Sequence, residues 1–196
     1  MASTKKSTAS RRPHSRGLQP RARQRTDAIA LLKADHRQIE QWFSQFGGAT
    51  KARKQQLVDR ICDALTVHNT LEEEIFYPSF LDATEDKHAH HEAVVEHAMH
   101  DQLIDEIRGM SAADDYFHAN VTVLSELVKH HVREKEGPDG MFAKARRSRM
   151  DLRALGEELL ARKKQLQAQS KASTREQVHH ARKANTGASP SRQEGR

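Results

Sequence analysis

Residues 57–78 read LVDRICDALTVHNTLEEEIFYP, and the way their apolar stripe breaks off decides the fold. Leu57, Ile61 and Leu65 recur at steps of four, the spacing that keeps side chains on one face of an α-helix. The same face continues through His68 and Glu72 before returning to Ile75. A helix whose inward stripe gives way to imidazole and carboxylate must pair those groups, or bind them to a metal, because burying them alone is costly. The pattern predicts a helix from near Thr50 to Pro78, where the missing N–H and the ring of proline oppose continuation.

Neighbouring segments repeat the theme. A first helix is expected from the Thr26-Asp27 cap to Phe46, stopped by Gly47-Gly48, with Ile29, Leu32, Ile39, Phe43 and Phe46 inward and His36 in the gap. A third is expected over Glu85 to Arg108, with Val94, His97, Asp101 and Ile104 on one face. A fourth is expected after Ser111, with Asp114 and Asp115 in its first turn, and it carries Phe117, Val121, Leu124, Val128, His131 and Lys135. Gly137-Pro138-Asp139-Gly140 breaks the chain, and a further polar helix is expected from Arg149 to Gln167. Four helices joined by short breaks make an all-α, antiparallel up-down four-helix bundle with one additional C-terminal helix. Each of the four interrupts its apolar seam with histidine, which favours a metal site over a hydrogen-bonded polar core. Mixed imidazole and carboxylate ligands suit iron, zinc or manganese. His88, His90, His91, His100 and His118 read instead as solvated surface residues.

Length and charge fit one domain with basic ends. The chain has 196 residues, 5% of them aromatic, and a net charge of +6. Residues 1–25 hold eight Lys/Arg and no acid, residues 161–196 nine against two, and the segment between has 25 acids against 16 bases. The expected organisation is a disordered basic tail over 1–25, the bundle over 26–147, the extra helix over 148–168 and a second basic tail over 169–196. A single cysteine, Cys62, excludes an internal disulfide framework and suits a reducing, cytoplasmic setting. No apolar run is long enough to span a bilayer. The tails admit a second function, a nucleic-acid-associated structural protein making non-specific DNA or polyanion contacts through counterion release, with the bundle as scaffold. No aromatic residue is interleaved among their charges for base stacking.

Asp35-His36, the run from His68 to Pro78, Glu96-His97 and His130-His131 together resemble the hemerythrin-like HHE cation-binding domain over roughly residues 26–147. The resemblance implies a bundle around a non-haem centre of two irons with an oxo or hydroxo bridge, acting on O2, peroxide or NO in iron and oxidative-stress handling. It carries over His36, His68, Glu72, His97 and His131 as ligands. Asp35 and Glu96 are candidates for orienting them, and Phe43, Phe46, Leu65, Leu124 and Val128 for keeping the pocket dry. The family pattern places a carboxylate four residues after His131, and this chain has Lys135 there. A protonated lysine has no lone pair to give a metal. Glu134 is taken as the sixth ligand, with Asp101 as the other carboxylate aimed inward, an ion pair of Lys135 with Asp101 or Glu136 as a third arrangement, and a mononuclear site as the fourth. A carrier and a peroxide-consuming, catalase-like enzyme share these ligands, so the residues leave that choice open.

Overall fold

The computed structural model describes residues 27–186; the basic arm over 1–25 and the end of the chain over 187–196 lie outside the described residues. Helix α1 spans Ala28–Phe46, and its N-cap Asp27 accepts a hydrogen bond from the Ala30 N–H at 2.7 Å. Helix α2 spans Lys51–Leu71 behind a Thr50 cap. It does not stop at Pro78. A π-helical turn over Glu72–Phe76 leads without a break into α3, Tyr77–Thr84, whose first turn contains the proline. Widening the turn relieves what Pro78 would meet in a regular helix, where its ring crowds the carbonyl four residues back.

Helix α4, Lys87–Arg108, begins at an Asp86 cap after Glu85 turns left-handed at φ 58°. Helix α5, Phe117–Glu136, starts later than the acidic pair suggests, because Asp114 is used in the preceding turn, accepting from the Ser111 N–H. Two elements differ from expectation. A short helix α6, Met141–Arg147, follows the glycine-proline break. Helix α7 covers Leu152–Thr186, so residues 169–186, expected as tail, continue the helix. No described helix is long and apolar enough to cross a membrane.

The order of core residues fixes the topology. One apolar cluster holds Ile29, Leu32, Leu71, Phe76, Phe80, Ala93, Met141, Phe142 and Leu159. The other holds Ile39, Phe46, Ile61, Leu65, Ile104, Phe117, Leu124 and Val128. Helix α1 passes from the first to the second, α2 back, α4 out again and α5 back. That alternation is an up-down-up-down bundle. Between the clusters, each pass crosses a layer of buried polar residues: His36 on α1, His68 on α2, Glu72 in the π-turn, His97 and His100 on α4, and His131 and Lys135 on α5.

The inward face of α4 is Ala93, His97, His100, Ile104 and Ile107; Val94, expected on it, is 42% exposed, and Asp101 is exposed too. Helix α7 lies along α1 and α2, inserting Leu155 and Leu159 and tying Arg162 to Glu74 at 2.6 and 2.8 Å. Gly140 is required where α5 hands over to α6. A Cβ there would lie 2.2 Å from the Glu134 carbonyl oxygen and 2.7 Å from that of Lys135. Gly140→Ala is therefore expected to cost about 1–3 kcal/mol, as overpacking does, read as a lowered urea midpoint with unchanged slope.

Candidate metal centre

Glu72 is the hub of the polar layer, fully buried in the π-turn. Its Oε2 accepts a 2.5 Å hydrogen bond from the Tyr77 hydroxyl. Around the same oxygen stand His97 Nε2 at 3.3 Å, His131 Nε2 at 3.4 Å, Lys135 Nζ at 3.6 Å and His68 Nε2 at 3.8 Å. His36 joins through its Nε2, 3.1 Å from His68 Nε2. One donor atom from each of His36, His68, Glu72 and His131 lies within 4.8 Å of the others. Tyr77 reaches the hub because of the π-turn. Five positions on in a regular α-helix it would be rotated by roughly 140° from Glu72, whereas the wider turn brings the fifth residue back over it.

The outer ring nitrogens face carboxylates. His36 Nδ1 is 2.8 Å from Glu136, His97 Nδ1 2.8 Å from Glu73, and His131 Nδ1 2.8 Å from Glu96. A carboxylate on Nδ1–H turns the Nε2 lone pair inward and raises its donor strength, the arrangement that metal-binding histidines adopt. Glu96 was legible beside His97, but it serves His131. Glu73 and Glu136 were not anticipated in this role, since both stand off the apolar seams and look like surface charge in the sequence.

Electrostatics show what the layer does without a metal. Burial alone would raise the Glu72 pKa, but Lys135 and the surrounding histidines outweigh it and hold that carboxyl well below its ordinary range. Burial pushes the Lys135 ammonium down to about 8, with Glu72 and Glu96 opposing the shift. Burial and then Glu72 push the Tyr77 hydroxyl well above its ordinary range. His97 is opposed by burial, yet its bonds to Glu72 and Glu73 lift its pKa. Not every polar atom is paired: Glu72 Oε1, His131 Nε2 and His68 Nδ1 are buried without a hydrogen-bond partner. Glu72 Oε1 and His131 Nε2 belong to the polar layer, where a cation would satisfy such orphaned acceptors, whereas His68 Nδ1 faces Asp35 on the outer side.

Of the expected ligands, the structure brings together His36, His68, Glu72, His97 and His131. It does not bring Glu134, which is exposed. Helix α5 stays regular through Glu136, so the inward position belongs to Lys135 and its neighbour turns away. Asp101 accepts from the Asn69 side chain at 3.0 Å, away from the hub. Lys135 pairs with neither Asp101 nor Glu136; it donates to the Tyr77 hydroxyl at 2.5 Å and faces Glu72. Leu65, Leu124, Val128 and Phe46 are buried in the second cluster, and Phe43 is half-buried at its edge. Nearer the site, Phe142 of α6 stacks on His36 at 5.8 Å.

His100, read as a surface residue, is buried against His97 and His131, and neither ring nitrogen has a side-chain partner. Burial, reinforced by His131 and His97, pushes its pKa down to about 3. It is neutral in the folded chain but protonated in the unfolded one below the ordinary value of 6.5. Its contribution to stability therefore falls as pH drops below 6.5. At pH 5 the loss is about 2 kcal/mol, so His100→Leu is expected to flatten the fall in melting temperature between pH 7 and pH 5 in metal-free protein.

The sequence model of the hemerythrin HHE cation binding domain matches residues 27–145. The fold resembles that of a solved hemerythrin HHE cation-binding domain-containing protein from Mycobacterium kansasii, with a TM-score of 0.59 and 17% identity, over 76% of this chain and 92% of that one. No curated protein matches the chain.

Proposed function

The chain belongs to the hemerythrin HHE cation-binding family, and from that premise we propose that it is a non-haem iron protein that binds or reduces a small oxidant such as O2, peroxide or NO. The observation that carries this reading is the convergence of the His68, His97 and His131 Nε2 atoms on Glu72, with His36 Nε2 beside His68, and a carboxylate on Nδ1 of three of these four histidines. His36, His68, Glu72 and His131 would hold one iron, and that ligand set suits it. A second iron, completing the pair typical of the resemblance, would take His97 as its ligand, beside Tyr77. There the Lys135 ammonium stands in its way, so the second position fills only when Lys135 gives way.

Bound ferrous iron would supply a Lewis acid and one-electron reductant for the small ligand. The chain's own residues do the rest. The carboxylates on Nδ1 of His36, His97 and His131 fix those three imidazoles in the tautomer that presents the Nε2 lone pair inward. Phe76, Phe142 and Met141 close the end of the bundle over the layer and exclude bulk water. A cleft of about 100 Å³, lined by Glu92, Glu96, Glu134, Lys135 and Met141 among others, reaches Lys135 and admits only small molecules. Lys135 Nζ donates to Tyr77 Oη, and Tyr77 Oη to Glu72 Oε2, so a proton stands ready at the hub on a two-step relay.

The test is iron content and optical spectrum of protein loaded with ferrous iron under argon and then exposed to air or peroxide. At least one equivalent of iron and a ligand-to-iron charge-transfer band that changes with oxidant are expected. Less than half an equivalent, with no such band, overturns the reading. Oxygen release from peroxide then separates an enzyme from a carrier.

A further inference from the structure

Of the four histidines expected as ligands, His36, His97 and His131 have a carboxylate 2.8 Å from Nδ1, and His68 is the exception. Its Nδ1 is 3.8 Å from Asp35 Oδ2 and has no hydrogen-bond partner, although the side chain is 98% buried. The reason lies in where its proton is. His36 gives its Nδ1–H to Glu136, so its Nε2 is an acceptor, and His68 must donate Nε2–H across the 3.1 Å gap. A cation at His68 Nε2 displaces that proton. His68 then carries hydrogen on Nδ1, and the acceptor facing it is Asp35.

Asp35 is already engaged. Its other oxygen is ion-paired with Lys163, which α7 brings from beyond the family's matched residues 27–145. Glu136 also carries a lysine, Lys33 at 2.7 Å, yet still reaches His36; it is one methylene longer than aspartate. The shorter Asp35 stays 3.8 Å short of His68. The two partners of Asp35 come from different elements, α2 inside the bundle and α7 outside it.

We propose that Lys163 is a positioning residue that holds Asp35 back from His68, making His68 the weakest-held ligand of the centre and linking α7 to metal retention. The inference rests on the metal-binding reading above. Releasing Asp35 lets it accept from Nδ1–H, which strengthens the Nε2 donor and tightens the metal. Partners of this kind change metal affinity by about 10–100-fold.

The experiment uses the full chain with Zn(II), a diamagnetic ion that takes imidazole and carboxylate ligands. Zn(II) affinity is measured by chelator competition, and the Nδ1–H proton of His68 is followed by imidazole nitrogen-proton NMR. Lys163→Met is expected to tighten Zn(II) about tenfold and to bring the His68 Nδ1–H signal into the downfield range of the other three. Lys163→Arg is expected to restore wild-type values, and Asp35→Asn combined with Lys163→Met to erase the gain. A merely structural role for Lys163 would lower the melting temperature without moving the NMR signal. Unchanged or weakened Zn(II) binding in Lys163→Met, with normal uptake by the wild type, overturns the inference. Failure of every variant and of the wild type to take up Zn(II) and iron overturns the metal reading beneath it.

Discussion

Replacing Lys135 with glutamate is expected to raise iron uptake from about one equivalent per chain to about two. The prediction follows from position and charge. Lys135 is buried on α5, four residues after His131, with Nζ 3.6 Å from Glu72 Oε2 and 2.5 Å from the Tyr77 hydroxyl. There it neutralises Glu72, a task a metal would otherwise perform, and its positive charge repels a cation beside His97. Glutamate reverses the charge and supplies an oxygen donor in the same direction. The metal-free variant suffers for it, because two buried carboxylates then share the hub with less positive charge to balance them. Its metal-free stability should fall by about 3–5 kcal/mol, the range for breaking a buried ion pair from one side, and should recover on loading. Lys135→Met separates the two contributions, removing the repulsion without adding a ligand. It should tighten the first iron and leave the stoichiometry at one. A glutamate variant that still takes one iron by metal analysis would show that something other than Lys135 limits the second position.

The same residues show how much of the molecule was legible beforehand. Periodicity located α1, α2, α4 and α5, and the histidine interrupting each seam located the polar layer, because both signals live on the inward face. The errors arise where local geometry departs from a regular helix or where a residue's partner is distant in sequence. Pro78 suggested an end, but the π-turn that absorbs it has no marker in residue spacing, and that turn places Tyr77 on Glu72. On α4 the chosen face included Val94 and Asp101; shifting it by one residue to Ala93 and His100 gives the observed one. Glu134 looked like the replacement carboxylate because a small rotation would bring it inward, but a continuous α5 allows no such rotation while Lys135 occupies the position. Glu73, Glu136 and Lys163 take their roles from contacts 24, 100 and 128 residues away. No local pattern encodes contacts of that range.

Glu72→Gln should produce the largest combined loss, in metal binding and in the stability of the metal-free chain. Glutamine keeps the shape and removes the charge that Lys135, His97 and His131 face at 3.3–3.6 Å. Lys135 is then a buried ammonium with no anion at the hub, and about 3–5 kcal/mol of stability should go with it. The pH dependence identifies the cause. The folded-state pKa of Glu72 lies well below its ordinary 4.5, so its contribution is fully present above 4.5 and is lost only as pH falls through the lower folded value. Because Glu72 also raises the His97 pKa, the difference in urea midpoint between wild type and variant should hold or grow from pH 7 to pH 5, and the two should converge only in stronger acid. A difference that shrinks already between pH 7 and pH 6 would point to histidine titration instead. Iron affinity should drop at least about 100-fold, since the only carboxylate inside the cluster of four is gone. Glu134→Gln provides the contrast: an exposed side chain outside the hub, it should leave iron stoichiometry and affinity unchanged. If the two substitutions exchanged these results, the sixth ligand would be Glu134 after all and α5 would have to rotate on loading. Loss of iron binding in Glu72→Gln beside unchanged binding in Glu134→Gln would assign the organising anion to Glu72, which stands at the junction of three helices and the π-turn.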